Sequence, residues 1–200
     1  MRTYLKRFRM TPPKASFNFH GLGRRACRDL EGVFEASDPS GLERLSKELL
    51  AAKKIVSFGV GREGLMMEAI AMRLMHAGFK SYVVGEMVTP AVGPGDLFLV
   101  SAGPGHFPTV ETLLSVAREA GGRTAVITAQ PERAELMPVD VVVYLPAQTM
   151  ADIAAGRSIL TMGTHYEASL LLFGDLLVLR LLELTNQQRE DMYTRYTNMK

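Results

Sequence analysis

The segment Ile55-Val56-Ser57-Phe58-Gly59-Val60-Gly61-Arg62-Glu63-Gly64 decides the fold of this chain. Its first four residues form a short apolar run with β-branched side chains, which predicts a buried strand. The glycines Gly59, Gly61 and Gly64 then allow a tight turn into a helix rich in Met, Leu and Ala. Such a turn points backbone N–H groups and the positive end of the helix dipole at whatever lies above it. The segment therefore predicts an anion site, most often one for phosphate.

A second turn of the same kind follows a later strand, at Ser101-Ala102-Gly103-Pro104-Gly105-His106. Two such turns predict a ligand that is held from two sides. The candidate phosphate-binding residues are Gly59, Gly61 and Arg62 on the first turn and Ser101, Gly103, Gly105, His106 and Thr109 on the second. Glu63, next to Arg62, is a further candidate for binding the substrate. Arg62 either clamps the phosphate or forms an ion pair with Glu63 or Glu86.

Apolar strand patterns alternate with helical patterns over most of the chain. The predicted strands are residues 55–58, 81–84, 96–100, 125–128 and 139–145. The predicted helices are residues 21–36, 39–52, 62–77, 109–120, 131–137 and 161–184, with an irregular segment at 146–158 and a polar, helical piece at 187–200. Continuous apolar strands that alternate with helices indicate a parallel sheet covered on both faces. We expect an α/β, doubly wound, five-stranded parallel sheet flanked by helices, of the flavodoxin-like type.

Composition and charge narrow the classes of function. The 200 residues have a net charge of +2 and a mean hydropathy of +0.06. Residues 1–28 hold eight Lys or Arg and no acid, and the rest of the chain holds 15 basic and 21 acidic residues. A mildly acidic body does not predict a nucleic-acid-binding protein. We expect residues 1–20 to form a basic tail or arm and residues 21–200 to form one domain.

Compartment and cofactors are predicted from what the sequence lacks. The single cysteine, Cys27, excludes an intramolecular disulfide framework and favours a reducing compartment, the cytoplasm. Residues 1–20 lack the apolar segment of a secretory signal, and the most apolar stretch is interrupted by Asp175, Arg180 and Glu183, so we expect no membrane association. The histidines lack the spacing of a metal site, and we expect no metal and no cofactor.

The glycines of the first turn also allow a different interpretation. The pattern Gly59-x-Gly61-x-x-Gly64 after a strand matches the dinucleotide fingerprint. Glu86 stands near the end of the second strand, where a ribose-binding acid belongs. An NAD-binding oxidoreductase is therefore an alternative, although the second glycine turn is not part of that fingerprint.

Several motifs, taken in order, resemble the sugar isomerase (SIS) domain family and, within it, 6-phospho-3-hexuloisomerase. They are Gly59-x-Gly61-Arg62-x-Gly64, Ala71-Met72-Arg73-Leu74-Met75-His76-x-Gly78, Val83-Val84-Gly85-Glu86, Thr89-Pro90-Ala91, Gly95-Asp96-Leu97, Thr109-Val110, Gly163-Thr164-x-x-Glu167 and Arg195-x-x-Asn198. The resemblance runs from about residue 42 to the C-terminus. It implies a five-stranded sheet, a homodimer or homotetramer, and a sugar phosphate as ligand. The implied reaction interconverts a 3-ketohexose 6-phosphate and fructose 6-phosphate.

Both ligand loops depart from the family pattern. The family has Ser where this chain has Glu63, and its second loop is richer in Ser and Thr. A glutamate that faced a phosphate dianion would repel it. The departures motivate an alternative function, a non-catalytic sugar-phosphate sensor on the same fold.

Two residues are candidates for catalysis. Moving a carbonyl between neighbouring carbons requires a base that removes one proton and returns it through an enediol. Glu167 follows Gly163-Thr164 at the start of the long helix, where the dipole favours an ionised carboxylate, and it matches the family motif. His76 ends the helix that starts in the first turn. It is a candidate proton donor or ring-opening acid that in the family could reach a neighbouring subunit's site.

Overall fold

The computed structural model describes residues 17–152, 156 and 158–199 of the chain. Its centre is a sheet of five parallel strands in the order β2-β1-β3-β4-β5. The strands are β1 (Ile55–Phe58), β2 (Ser81–Val83), β3 (Leu97–Ser101), β4 (Arg123–Thr128) and β5 (Val141–Tyr144). This arrangement confirms the predicted doubly wound α/β fold.

Helices connect the strands and extend the domain at both ends. Within the described ranges they are α1 (Phe19–Glu35), α2 (Pro39–Ala51), α3 (Arg62–His76), α4 (Pro108–Glu119), α5 (Pro131–Ala134), α6 (Thr164–Leu184) and α7 (Arg189–Tyr193). Asp38 caps α2 by accepting a hydrogen bond from the backbone N–H of Ser40, and Pro39 is the first helical residue. No described helix is both long and apolar enough to cross a bilayer.

Two apolar cores cover the two faces of the sheet. Successive side chains of a strand point to opposite faces. Leu97 and Leu99 of β3 accordingly pack in one core with α2, α3 and α6, whereas Phe98 and Val100 pack in the other with α4. Burial on both faces explains why the strands are continuous apolar runs.

The helices α3 and α6 run side by side in the same direction. Arg62 contacts Thr164 at their N-terminal ends, and His76 and Leu182 line one cavity near their C-terminal ends. Between these points the helices approach closely, because a Cβ on Gly174 would lie 2.3 Å from Cγ1 of Ile70. The N-termini of two long helices therefore lie beside each other.

The strand order places the two glycine turns at one crevice. The chain leaves β1 toward the face that α3 covers and leaves β3 toward the face that α4 covers. Since β1 and β3 are neighbours, the connections diverge between them. Such a switch point in a parallel sheet opens a crevice at the carboxyl ends of the strands, where ligands bind.

Several predicted boundaries differ from the structure. Helix α6 begins at Thr164 rather than at residue 161, because the chain turns through Met162, which has a φ of 56°. Among the described residues of the polar C-terminal piece, 187–199, only Arg189–Tyr193 is α-helical. Helix α1 begins two residues early, where Asn18 accepts a hydrogen bond from Gly21 N. Residues 1–16 of the predicted basic tail and residues 153–155 and 157 of the predicted irregular segment lie outside the described residues.

Candidate active site

The first glycine turn is tight enough to require its glycines. A Cβ on Gly64 would lie 2.6 Å from the carbonyl oxygen of Gly59, and Gly61 has a φ of +59°, which other residues rarely adopt. Gly61 is the N-cap of α3 and provides no side-chain hydrogen bond to it. The first backbone N–H groups of a helix have no partner within the helix. The start of α3 can therefore donate to an anion.

Glu63 links the first turn to the second. Its Oε2 atom accepts a hydrogen bond of 2.6 Å from Ser101 Oγ and one of 2.9 Å from the backbone N–H of Gly103. The hydroxyl of Tyr166 lies 3.1 Å from Ser101 Oγ and donates to the carbonyl oxygen of Ile127. All these groups are buried. The sequence identified Glu63 as a departure but did not predict that its carboxylate binds the second turn.

Burial also controls the ionisation of this cluster. Burial raises the pKa of Glu63, the hydrogen bonds from Ser101 and Gly103 oppose that rise, and the charge of Glu167 adds to it. Burial, and then the charge of Glu63, raises the pKa of Tyr166 well above its ordinary value. Tyr166 is therefore a neutral hydroxyl at physiological pH.

Glu167 lies in the first turn of α6 and is only 9% exposed. Its Oε2 atom is 2.9 Å from Nε of Arg62, although this contact lacks the alignment of a hydrogen bond. Among the described residues no hydrogen-bond donor reaches this oxygen in good geometry. A Cβ on Gly163 would lie 3.1 Å from Glu167 Oε1, so the backbone of the N-cap approaches the carboxylate closely. The carboxylate is thus buried, with one oxygen that is paired with Arg62 but accepts no well-aligned hydrogen bond.

These groups line a pocket of about 320 Å3, at the lower end of the range for ligand sites. Three helix starts without a side-chain cap border this pocket, at Gly61 of α3, Phe107 of α4 and Gly163 of α6. Arg62, whose side chain is 61% exposed, lies at its rim. Apolar side chains form much of the rest of the wall, namely Val60, Phe107, Met150 and Met162. The helix dipoles and a guanidinium favour a negative charge at the mouth, close to the carboxylate of Glu167.

His76 lies far from the pocket that Glu167 lines. It is 4% exposed at the far end of α3, its ring stacks on Tyr196, and it lines a separate cavity of about 390 Å3. Burial, and then the charge of Arg73, lowers the pKa of His76. Since a helix rises about 1.5 Å per residue, its Cα lies roughly 20 Å from that of Arg62. Within one chain His76 does not reach Glu167, and the role predicted for it requires a second subunit.

The other predicted residues of the second turn also lie outside the pocket that Glu167 lines. His106 is exposed, with Nε2 2.9 Å from Glu111 Oε2, so it pairs with an acid of α4. Gly105 turns the chain with a φ of +91°, and Thr109 is exposed in the first turn of α4. Ser101 and Gly103 do not line the pocket either, but they donate to Glu63, which does.

The sequence did not predict Tyr166 and Phe107 as site residues, and it indicated Thr164 only as part of the motif Gly163-Thr164-x-x-Glu167. Tyr166 immediately precedes Glu167 and belongs to the buried face of α6, so the helical spacing to Leu170 and Phe173 could have identified it as a core residue. No pattern in the sequence predicts the contact between the Tyr166 hydroxyl and Ser101. Thr164 Oγ1 lies 3.3 Å from Nη1 of Arg62, a contact that depends on the packing of α3 against α6.

Comparison with known proteins identifies the family to which this fold belongs. No model of a known protein family matches the chain. A 3-hexulose-6-phosphate isomerase from Bacillus subtilis is 33% identical over 159 residues, which cover 78% of this chain and 85% of that protein. Another from Mycobacterium gastri is 32% identical and covers 81% of each protein. The chain therefore belongs to the family of SIS-fold sugar isomerases.

A solved structure agrees with these relatives. It is the structure of a hypothetical protein from Methanococcus jannaschii, for which a molecular function of 3-hexulose-6-phosphate isomerase is inferred. It matches with a TM-score of 0.76 and 29% identity, over 88% of this chain and 98% of that one. The fold described above is therefore shared along nearly the whole of that protein.

Proposed function

We propose that this protein is a sugar-phosphate isomerase that interconverts a 3-ketohexose 6-phosphate and fructose 6-phosphate. The observation that carries this proposal is Glu167, a buried carboxylate with one oxygen that lacks a well-aligned hydrogen bond, in a pocket bordered by three uncapped helix N-termini. The relatives named as 3-hexulose-6-phosphate isomerases support the choice of sugar.

The reaction needs one base and one anion site. Glu167 removes the proton from C2 of the 3-ketohexose and forms an enediol between C2 and C3. The same carboxyl group returns the proton at C3, while a hydroxyl proton moves from the oxygen on C2 to the oxygen on C3. The product then carries its carbonyl at C2, as fructose 6-phosphate does.

Arg62 has two roles in this proposal. Before the substrate binds, it neutralises Glu167 at 2.9 Å. Its exposed side chain then turns to the phosphate, which the N-termini of α3 and α6 also attract. Loss of the guanidinium from Glu167 leaves the carboxylate free to accept a proton from the sugar.

Turnover of the substrate tests the proposal. The protein is incubated with 3-hexulose 6-phosphate, and fructose 6-phosphate is detected through coupled phosphoglucose isomerase and glucose-6-phosphate dehydrogenase. We expect sustained, protein-dependent formation of fructose 6-phosphate. The complete absence of turnover would overturn the proposal.

A second candidate function is a non-catalytic sugar-phosphate sensor, which the contact between Glu63 and Gly103 favours. This contact occupies the Gly103 N–H, a donor that would otherwise be available to a ligand. The isomerase mechanism proposed above gives the contact no role. A sensor would show an increase in melting temperature with fructose 6-phosphate and no turnover.

A further inference from the structure

The second glycine turn binds an anion that the protein itself supplies. Turns of this kind gather backbone N–H groups that attract a phosphate or a carboxylate. Here the carboxylate of Glu63 takes the Gly103 N–H and the Ser101 hydroxyl through a single oxygen. Glu63 is 7% exposed, so this carboxylate is held inside the protein.

The geometry leaves no space for a phosphate between Glu63 and the turn. A Cβ on Gly103 would lie 2.9 Å from Glu63 Oε1 and 2.8 Å from the ring of Tyr166. Both side chains are therefore in contact with the turn. A phosphate could reach the Gly103 N–H only if Glu63 moved away.

The charges around the second turn also disfavour a phosphate at the Gly103 N–H. A phosphate dianion at this place would face the carboxylate of Glu63, with that of Glu167 nearby. Tyr166 offers a hydroxyl that is already bonded to Ile127 and carries no charge. The cation that contacts the pocket, Arg62, pairs with Glu167.

We propose that Glu63 is a specificity-determining residue that closes the Gly103 N–H and the Ser101 hydroxyl of the second turn to phosphate. The phosphate of the ligand binds instead at the uncapped helix starts that border the pocket, beside Arg62. At the closed turn the ligand meets a carboxylate, which accepts a hydrogen bond from a neutral hydroxyl of the sugar. This inference deepens the proposed function and rests on it only for the identity of the sugar.

The test uses selenate, a dianion of phosphate shape that does not titrate near neutral pH and scatters X-rays anomalously. Crystals of the wild type and of the Glu63→Ser variant are soaked in sodium selenate. In the wild type we expect the Glu63 carboxylate to accept the hydrogen bond of the Gly103 N–H. We expect no anomalous peak within hydrogen-bonding distance of that nitrogen. In the variant we expect a peak there. A selenate at Gly103 in the wild type, with Glu63 turned away, would overturn the proposal.

Titration calorimetry at constant ionic strength gives a second readout. We expect Glu63→Ser and Glu63→Ala to bind selenate about tenfold to a hundredfold more tightly than the wild type, since each removes both the competing charge and the side chain that fills the space. Glu63→Ala carries the test if the serine variant does not fold. The matched control is Glu68→Gln, which removes an exposed acid of the same helix.

Equal selenate affinities for the wild type and both Glu63 variants would contradict the proposal. Turnover of 3-hexulose 6-phosphate is measured separately. An inactive protein with the predicted selenate behaviour would count against the proposed isomerase and leave the assignment of Glu63 standing.

Discussion

Nε of Arg62 lies 2.9 Å from Oε2 of Glu167, and this ion pair joins the start of α3 to the first turn of α6. The two residues are 105 positions apart in the chain. The pair places a mobile cation next to the carboxylate that we propose as the base. It also brings two helix N-termini to one pocket.

Replacing Arg62 should weaken substrate binding more than it slows the chemical step. For Arg62→Gln we expect KM for 3-hexulose 6-phosphate to rise about tenfold while kcat changes much less, because a contact to the phosphate is lost. Steady-state kinetics measures both constants. Arg62→Lys keeps the charge without the planar fork and should give an intermediate KM.

The matched control for Arg62 is Arg118→Gln, which removes an exposed cation that pairs with Asp140 at the C-terminal end of α4. It should leave both constants close to those of the wild type. An unchanged KM in Arg62→Gln would remove Arg62 from the phosphate site.

Gly103 should tolerate no side chain. A Cβ there would lie 2.8 Å from the ring of Tyr166, so Gly103→Ala should lower the free energy of unfolding by about 1–3 kcal/mol. Urea denaturation measures this change. As the control, Gly23→Ala lies inside α1 with open space around the added methyl group, and it should raise the stability by about 0.5–1 kcal/mol. Equal effects of the two substitutions would contradict the packing described for the second turn.

The ionisation of Glu63 should appear in the pH dependence of stability. Burial is the main cause that raises its pKa in the folded state, whereas the unfolded chain releases this proton near pH 4.5. Above pH 4.5 the folded protein therefore binds the proton more tightly than the unfolded chain does. The resulting contribution to the free energy of unfolding is complete below pH 4.5 and is lost as the pH rises through the folded pKa. Glu63→Gln cannot ionise, and its stability relative to the wild type should therefore increase as the pH rises above 4.5.

Melting temperatures of the wild type and Glu63→Gln between pH 4 and 7 test this dependence. The two curves should diverge toward neutral pH, with the wild type falling relative to the variant. Parallel curves over this range would show that burial does not perturb Glu63.

An apolar stripe on α6 should be an interface between copies of this chain. Leu172, Leu176 and Leu179 lie on one face at helical spacing and are 42–44% exposed, and Met72 and Met75 of the adjacent α3 are exposed as well. Exposed apolar stripes of this kind mark interaction surfaces. We expect a dimer or a larger symmetric assembly, which would also provide the second subunit that the role predicted for His76 needs.

Light scattering after size exclusion measures this assembly. Leu176→Glu should shift the protein toward the monomer, whereas Val116→Glu, an exposed apolar residue of α4, should not. A wild type that is monomeric at micromolar concentration would contradict the prediction.

The sheet was predictable because its strands are buried on both faces. Burial makes each strand a continuous apolar run, and β1 begins and ends at the predicted residues. The exact start of α6 was not predictable, because Met162 adopts a positive φ that its side chain does not favour. Propensity alone would extend the helix through that residue.

The contacts of the site were harder to predict than its location. The two glycine turns indicated the crevice, since parallel strands bring their carboxyl ends to one edge. The hydrogen bond from Gly103 to Glu63 joins residues 40 positions apart, and it depends on how α3 meets β3. His106 follows a glycine with a φ of +91° and pairs with Glu111, so its position in the sequence did not predict its direction.

The most direct test of the central claim is the Glu167→Gln variant. It keeps the size and shape of the side chain but removes the base. We expect kcat for 3-hexulose 6-phosphate to fall roughly thousandfold, with the affinity for fructose 6-phosphate, measured by calorimetry, changed less than about tenfold. Glu183→Gln, an exposed acid at the other end of α6, should retain wild-type kcat. A Glu167→Gln protein that turns over substrate within about tenfold of the wild type would contradict the role of Glu167 as the base.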